Sequence, residues 1–308
     1  MGVKYKIAIL SFLFLLAVAG LVLFFYSHSA VMLNPQGFVS LHERNLMIIA
    51  VLLMSLVVLP VFILTFVIAW KYREGNSKAK YNPGLVRLPI YEVLWWSFPF
   101  AIVAALGVIT WISTHALNPY KPLQMQSAAP SITVQAVALD WKWLFIYPQQ
   151  GIASLNFLEF PVNTQVAFKI TSDAPMNSLW IPQLGGQLYG MPGMSTQLHL
   201  IAQRPGNYMG MSSNFSGEGF AGMQFTAKAV SSSEFTSWVN TIKNSSSTVL
   251  NVAEYEALAK PSQNNPISYY SSVVPNLYNW IVMKYMTPVS SSSTSAGTGT
   301  ATSTSTST

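Results

Sequence analysis

Cysteine is absent from all 308 residues. Its absence excludes disulfides, zinc–thiolate sites, iron–sulfur clusters and thiolate-bound copper within the chain. Charge is also scarce: 8% of residues are charged while 51% are hydrophobic. A soluble chain carries roughly a quarter charged residues, so an ordinary soluble enzyme is disfavoured. A nucleophile elbow, a phosphate-binding loop and a dinucleotide fingerprint are missing too, which argues against a self-contained hydrolase or nicotinamide enzyme. The histidines His28, His42, His115 and His199 have no second His, Cys or carboxylate at metal-ligand spacing. Each reads as structural.

Long apolar runs are what the chain does have. Ile7–Phe25, Leu46–Trp70 and Val93–Thr114 are uncharged. A helix rises about 1.5 Å per residue and the hydrocarbon layer is about 30 Å thick, so the second and third runs can each span it. Pro60 and Pro99 lie inside them, a placement membrane helices tolerate. The first run follows Lys4 and Lys6 and has two readings, a signal peptide cut after Ser29 or an uncleaved anchor. This divides the N-terminal part into a signal or anchor over 1–29 and a transmembrane hairpin over 30–115, with spans near 46–70 and 93–114.

Charge orients the hairpin. Lys71, Arg73, Lys78, Lys80 and Arg87 face a single acid, Glu74, between the spans. That loop is cytoplasmic by the positive-inside rule, which puts everything after His115 on the side of the membrane opposite the cytoplasm. Beyond residue 116 eight basic residues balance seven acidic ones. The net charge of +6 is thus a topology signal, not a nucleic-acid footprint. So few carboxylates outside would also suit an acidic exterior.

Residues 116–130 read as a linker with Pro119, Pro122 and Pro130. Ile132–Leu139, Gln165–Thr171, Thr196–Ala202 and Gly222–Val230 then alternate with period two between turn residues, which predicts a small β-sandwich or barrel over 131–230. After Val230 the period becomes helical. Phe235, Trp238, Val239 and Ile242 follow a Ser cap, Asn251–Glu254 opens a second helix, and Pro275–Met286 forms a third. This aromatic-rich extension, 231–287, is expected to pack on the sandwich. Residues 288–308 are nearly all Ser, Thr and Gly and are expected to be disordered.

Two features carry candidate chemistry. Glu92 stands at the start of the third run, either as a functional carboxylate at the membrane boundary or as an exposed interfacial residue near Arg87. Met176, Met191, Met194, Met209, Met211 and Met223 could bind Cu(I) or fill a core; packing is the better reading without His or Cys support.

The segment Asp140-Trp141-Lys142-Trp143-Leu144-Phe145-Ile146-Tyr147-Pro148 resembles the aromatic motif of subunit II of haem–copper terminal oxidases, carried here by Trp141, Trp143, Phe145 and Tyr147. Asn34-Pro35-Gln36-Gly37, Ala69-Trp70-Lys71-Tyr72-Arg73 and Thr114-His115-Ala116-Leu117 are similar to the quinol oxidase, cytochrome bo-type branch. The resemblance runs from about Leu33 to Met286. It implies a membrane-anchored α+β chain with a two-helix hairpin, a cupredoxin-like β-sandwich outside and a C-terminal aromatic-rich helical extension. The branch usually has a lipobox cysteine, and Phe24–Ala30 has none.

Relatives that oxidise cytochrome c hold a dinuclear copper centre, CuA, on two His, two Cys, a Met and a Glu carbonyl. The resemblance places those positions on Asn177, Ser212, Asn214, Ser216, Phe220 and Met223, and Met223 alone keeps its residue type. Serine is a hard, high-pKa ligand and cannot replace a bridging thiolate. The resemblance therefore implies a cupredoxin fold with no metal and no catalytic residue of its own. Two haems and CuB would sit in subunit I, and quinol, not cytochrome c, would be the donor. Other expected partners are further oxidase subunits and membrane lipid, with no nucleic acid. Glu92 matches a subunit II Glu near the proton-entry pathway. Alternatives are a membrane-anchored Met-rich copper-binding module and a purely structural assembly subunit.

Overall fold

The two long apolar runs fold as helices α1 (Phe38–Lys71) and α2 (Pro89–Ala116). In the computed structural model the described residues are 31–76, 89–123, 130–245 and 248–286, with Leu16, Gly20 and Leu23 as single positions. Most of the 1–29 segment, together with Lys78, Lys80, Arg87, linker residues 124–129 and the 288–308 tail, lies outside them. Pro60 and Pro99 sit within the helices.

Helix α1 starts before its apolar run because its first turns serve the exterior domain. Its 34 residues rise about 51 Å, well beyond a hydrocarbon layer of about 30 Å. The Gly37 and Phe38 amides donate to the carbonyls of Gln183 (3.0 Å) and Ile201 (3.1 Å). Ser40 Oγ donates to the Gln183 carbonyl at 2.7 Å, and Glu43 Oε1 accepts from the Gly186 amide at 3.1 Å. Val39 is part of the domain's core. At Gly37 a Cβ would lie 2.5 Å from the Leu184 carbonyl oxygen and 2.7 Å from its Cα. Only glycine fits that approach.

The exterior domain is a sandwich of two sheets. One contains β1 (Ile132–Leu139), β2 (Lys142–Tyr147), β3 (Ile152–Leu155), β5 (Val166–Ser172) and β8 (Thr196–Leu200). The other is built from β4 (Phe157–Pro161), β6 (Asn177–Trp180), β7 (Leu188–Gly190), β9 (Gly206–Ser212) and β10 (Gln224–Val230), in the order β4-β10-β9-β6-β7. β1 runs parallel to β5 and β4 parallel to β10; the other pairs are antiparallel.

Strand alternation sorts residues into two cores. Ala136, Ala138, Trp143, Phe145 and Tyr147 face the opposite sheet. Val137, Leu139, Leu144 and Ile146 face outward into a second core with Leu250, Tyr255, Tyr270, Leu277, Tyr278 and Ile281. Every residue of β2 is therefore buried, so its sequence shows an apolar run where a half-exposed strand would alternate.

The extension supplies that second core, and it is not purely helical as expected. After α3 (Ser232–Ser245) come β11 (Val249–Leu250), α4 (Val252–Ala259), β12 (Ser268–Tyr270), β13 (Ser272–Val273) and α5 (Leu277–Met283). β12 pairs with β3 and completes the six-stranded order β12-β3-β2-β1-β5-β8. An unpaired β3 edge would leave its backbone groups without partners. α3 is capped by Ser231 and Glu234, each receiving the other's amide at 3.3 and 2.9 Å, and the Glu254 amide donates to Asn251 Oδ1 at 2.9 Å to cap α4.

Candidate functional site

The six positions implied for copper gather at one end of the five-stranded sheet. Asn177 opens β6 and Ser212 closes β9 beside it. The Ser212 amide donates to the Met223 carbonyl at 3.2 Å, which closes a loop holding Asn214, Ser216 and Phe220. Ser212 Oγ donates to Asn177 Oδ1 at 2.9 Å, while Asn177 Nδ2 donates to the Pro175 carbonyl at 2.7 Å. Asn214 Nδ2 donates to the Met176 carbonyl at 2.8 Å. Met223 is buried in the core, and the Phe220 ring meets the edge of the exposed Phe215 ring at 5.6 Å. The Ser216 hydroxyl is buried and makes no hydrogen bond among the described residues.

Trp141 closes this loop from below. It occupies the two-residue turn between β1 and β2 with φ 61°, a conformation a bulky residue adopts only when held there. Its Nε1 donates to the Ser216 carbonyl at 3.2 Å. A Cβ at Gly219 would lie 2.5 Å from its ring, and one at Gly217 3.2 Å from it. Those glycines make room for the indole, a constraint invisible in the sequence. Trp143, Phe145 and Tyr147 point into the inter-sheet core. Tyr147 Oη donates to the Glu159 carbonyl at 3.0 Å, so the motif ties one sheet to the other.

The remaining sequence candidates lie apart. Glu92 sits exposed in the first turn of α2 and forms no ion pair among the described residues; an acid at this position suits the helix dipole. His42, His115 and His199 contact the backbone carbonyls of Phe38, Trp111 and Pro119 through Nδ1, and His28 is outside the described residues. Met176, Met194 and Met209 are exposed while Met223 is interior.

A polar cluster that the sequence did not reveal lies at the seam with the extension. Asp173 has 1% side-chain exposure. It accepts from Tyr255 Oη at 2.7 Å, from Lys284 Nζ at 2.9 and 3.0 Å, and from the Tyr285 hydroxyl. Burial, reinforced by the Asp173 carboxylate, pushes both phenols above their ordinary pKa. Nearby, the buried Lys142 Nζ donates to the Lys260 carbonyl at 2.8 Å and to Ser262 Oγ at 2.5 Å. Burial lowers the pKa of its amine, and the Asp140 charge opposes that shift.

Comparison with known proteins adds to this geometry. Residues 152–230 match the family model of the cytochrome c oxidase subunit II periplasmic domain, and residues 244–289 match the COX aromatic rich motif. Cytochrome bo(3) ubiquinol oxidase subunit 2 of Pseudomonas putida is 51% identical over 254 residues, covering 82% of this chain and 80% of its own length. Ubiquinol oxidase subunit 2 of Acetobacter aceti is 47% identical over 253 residues, covering 82% of each chain. The chain belongs to the ubiquinol oxidase subunit 2 family. The solved periplasmic domain of cytochrome oxidase subunit II from Bradyrhizobium japonicum is 23% identical, with a TM-score of 0.35, over 38% of this chain and 96% of its own.

As a ubiquinol oxidase subunit 2, the chain is part of a haem–copper oxidoreductase assembly, with other oxidase subunits as partners. The match to a cytochrome c oxidase domain raises the question of a CuA centre. The residues present do not fit one. They offer two hydroxyls, two amides, a phenyl ring and one thioether, and the Ser212 hydroxyl and Asn177 amide are already bonded to each other. Neither a bridging thiolate nor an imidazole is among them.

Proposed function

We propose that this chain is the non-redox subunit II of a proton-pumping terminal quinol oxidase in a bacterial inner membrane. Two quinols and one oxygen would give two quinones and two waters. The donor set at Asn177, Ser212, Asn214, Ser216, Phe220 and Met223 carries the reading. It cannot hold two copper ions, so the chain offers no relay for an electron from cytochrome c, and a membrane-dissolved quinol is left as donor. The two haems and CuB belong to subunit I in this account.

The chain's own residues then do three things. The spans α1 and α2 pack against subunit I and lipid. The domain caps subunit I on the periplasmic side, aimed by the contacts of Gly37, Ser40 and Glu43. Glu92, on the side of the basic loop, collects protons for the pathway into subunit I.

Metal analysis of the purified complex tests the donor argument. One copper per two haem irons is expected; three coppers per two haem irons would overturn it. Glu92→Gln tests proton entry. Slower oxygen turnover with unchanged subunit stoichiometry is expected, whereas unchanged turnover would leave this end of α2 with a structural role.

A further inference from the structure

Toward the end of the hairpin remote from the β-domain, the two helices do not close on each other. A cleft of about 400 Å³ separates a face of α1, including Val57, Pro60 and Val61, from a face of α2, including Tyr91, Trp95 and Pro99. An empty cleft between apolar walls forfeits their dispersion contacts, so within a bilayer it takes up an apolar chain. The mouth shows which molecule owns that chain. Leu64 is the last α1 residue lining the cleft, and Trp70 lies six residues further on, about 9 Å along the helix axis. There the Arg73 guanidinium lies over the Trp70 ring at 4.6 Å and Lys71 Nζ is 5.7 Å from the Tyr72 ring. Aromatic rings at this depth mark the headgroup layer. The segment from Lys71 to Glu92 carries five cations against two acids, Glu74 and Glu92. Of these cations Lys71 and Arg73 are among the described residues at this level; a neutral quinone head has no use for their charges, whereas a phosphodiester does.

We propose that this cleft binds one anionic glycerophospholipid, with an acyl chain between α1 and α2 and its phosphate against Lys71 and Arg73. The site is on the opposite side of the membrane from the exterior domain and does not depend on the fate of the copper positions.

The test uses the intact oxidase complex, delipidated in detergent and offered phosphatidylglycerol or phosphatidylcholine, with bound lipid counted by native mass spectrometry. Wild type is expected to retain one phosphatidylglycerol in preference to phosphatidylcholine. Lys71→Gln with Arg73→Gln should cut that preference on the order of 30-fold, from about 1 kcal/mol per cation at a membrane surface. Val61→Phe fills the cleft and should abolish retention. Equal retention of the two lipids, retention of quinone in their place, no retained phospholipid, or a Val61→Phe complex that keeps its lipid would each overturn the proposal. Should Val61→Phe prevent assembly, the surface charge variant decides alone.

Discussion

Replacing Asp173 by alanine should destabilise the exterior domain by about 3–5 kcal/mol, far more than removing its lysine partner. The carboxylate is 1% exposed, while the Lys284 side chain is 41% exposed. In Asp173→Ala the Lys284 ammonium turns to water, and its share is that of a surface pair, up to about 1 kcal/mol. Tyr255 has no such escape, being completely buried. Its hydroxyl loses its acceptor, which costs about 1–3 kcal/mol, and the charge-assisted bonds from the two phenols add about as much again. Lys284→Met leaves the carboxylate with both phenolic donors and should cost about 1 kcal/mol, the share of that half-exposed pair. At about 2–4 °C per kcal/mol for a domain of this size, the alanine variant should melt roughly 10 °C below wild type and the methionine variant only a few degrees below. Scanning calorimetry of the full chain in detergent reads the difference. Hydrogen exchange should place the loss in residues 252–259 and 277–286, which carry the released groups Tyr255, Lys284 and Tyr285. Equal losses in the two variants, or an alanine variant melting with wild type, would refute the buried-clamp reasoning.

Two further outcomes follow from the same structure. Burial raises the Glu159 pKa, with Lys228 at 3.5 Å opposing. The folded state then holds that proton more tightly than the unfolded chain, so this group's contribution is full below the ordinary Glu pKa near 4.5 and is lost as pH rises through the raised value. Glu159→Gln should therefore gain on wild type in melting temperature between pH 4 and pH 7; a parallel pH profile would contradict this. Gly37→Ala puts a methyl against the Leu184 backbone and should cost about 1–3 kcal/mol by prising α1 from the domain, read as faster amide exchange at Phe38 and Ser40. Unchanged exchange there would contradict the contact.

Much of the architecture is legible in the sequence because it follows from periodicity. Ile132–Leu139 alternates and forms β1 over the same residues, and the apolar stripe Phe235–Ile242 forms the buried face of α3. What stays hidden has a common cause: a partner far away in the chain. β2 shows no alternation because the extension buries its second face. Ser268–Tyr270 is too short to show a period of its own and pairs as a strand along the open edge of β3. Asp173 and Lys142 look like ordinary surface charges until residues some 80–120 positions away are folded against them. Within the candidate site, residue chemistry could be read directly, since Ser212 and Asn177 are poor copper ligands wherever they lie. Their mutual hydrogen bond, and the glycines that accommodate Trp141, required the fold.

The most direct test of the account is oxygen uptake by the purified complex, offered ubiquinol and reduced cytochrome c in turn. Uptake with ubiquinol, and none with cytochrome c above the rate without enzyme, is predicted from the donor set at the six positions. Oxidation of cytochrome c by the complex would contradict the account, because an electron would then have entered through a centre that these residues cannot build.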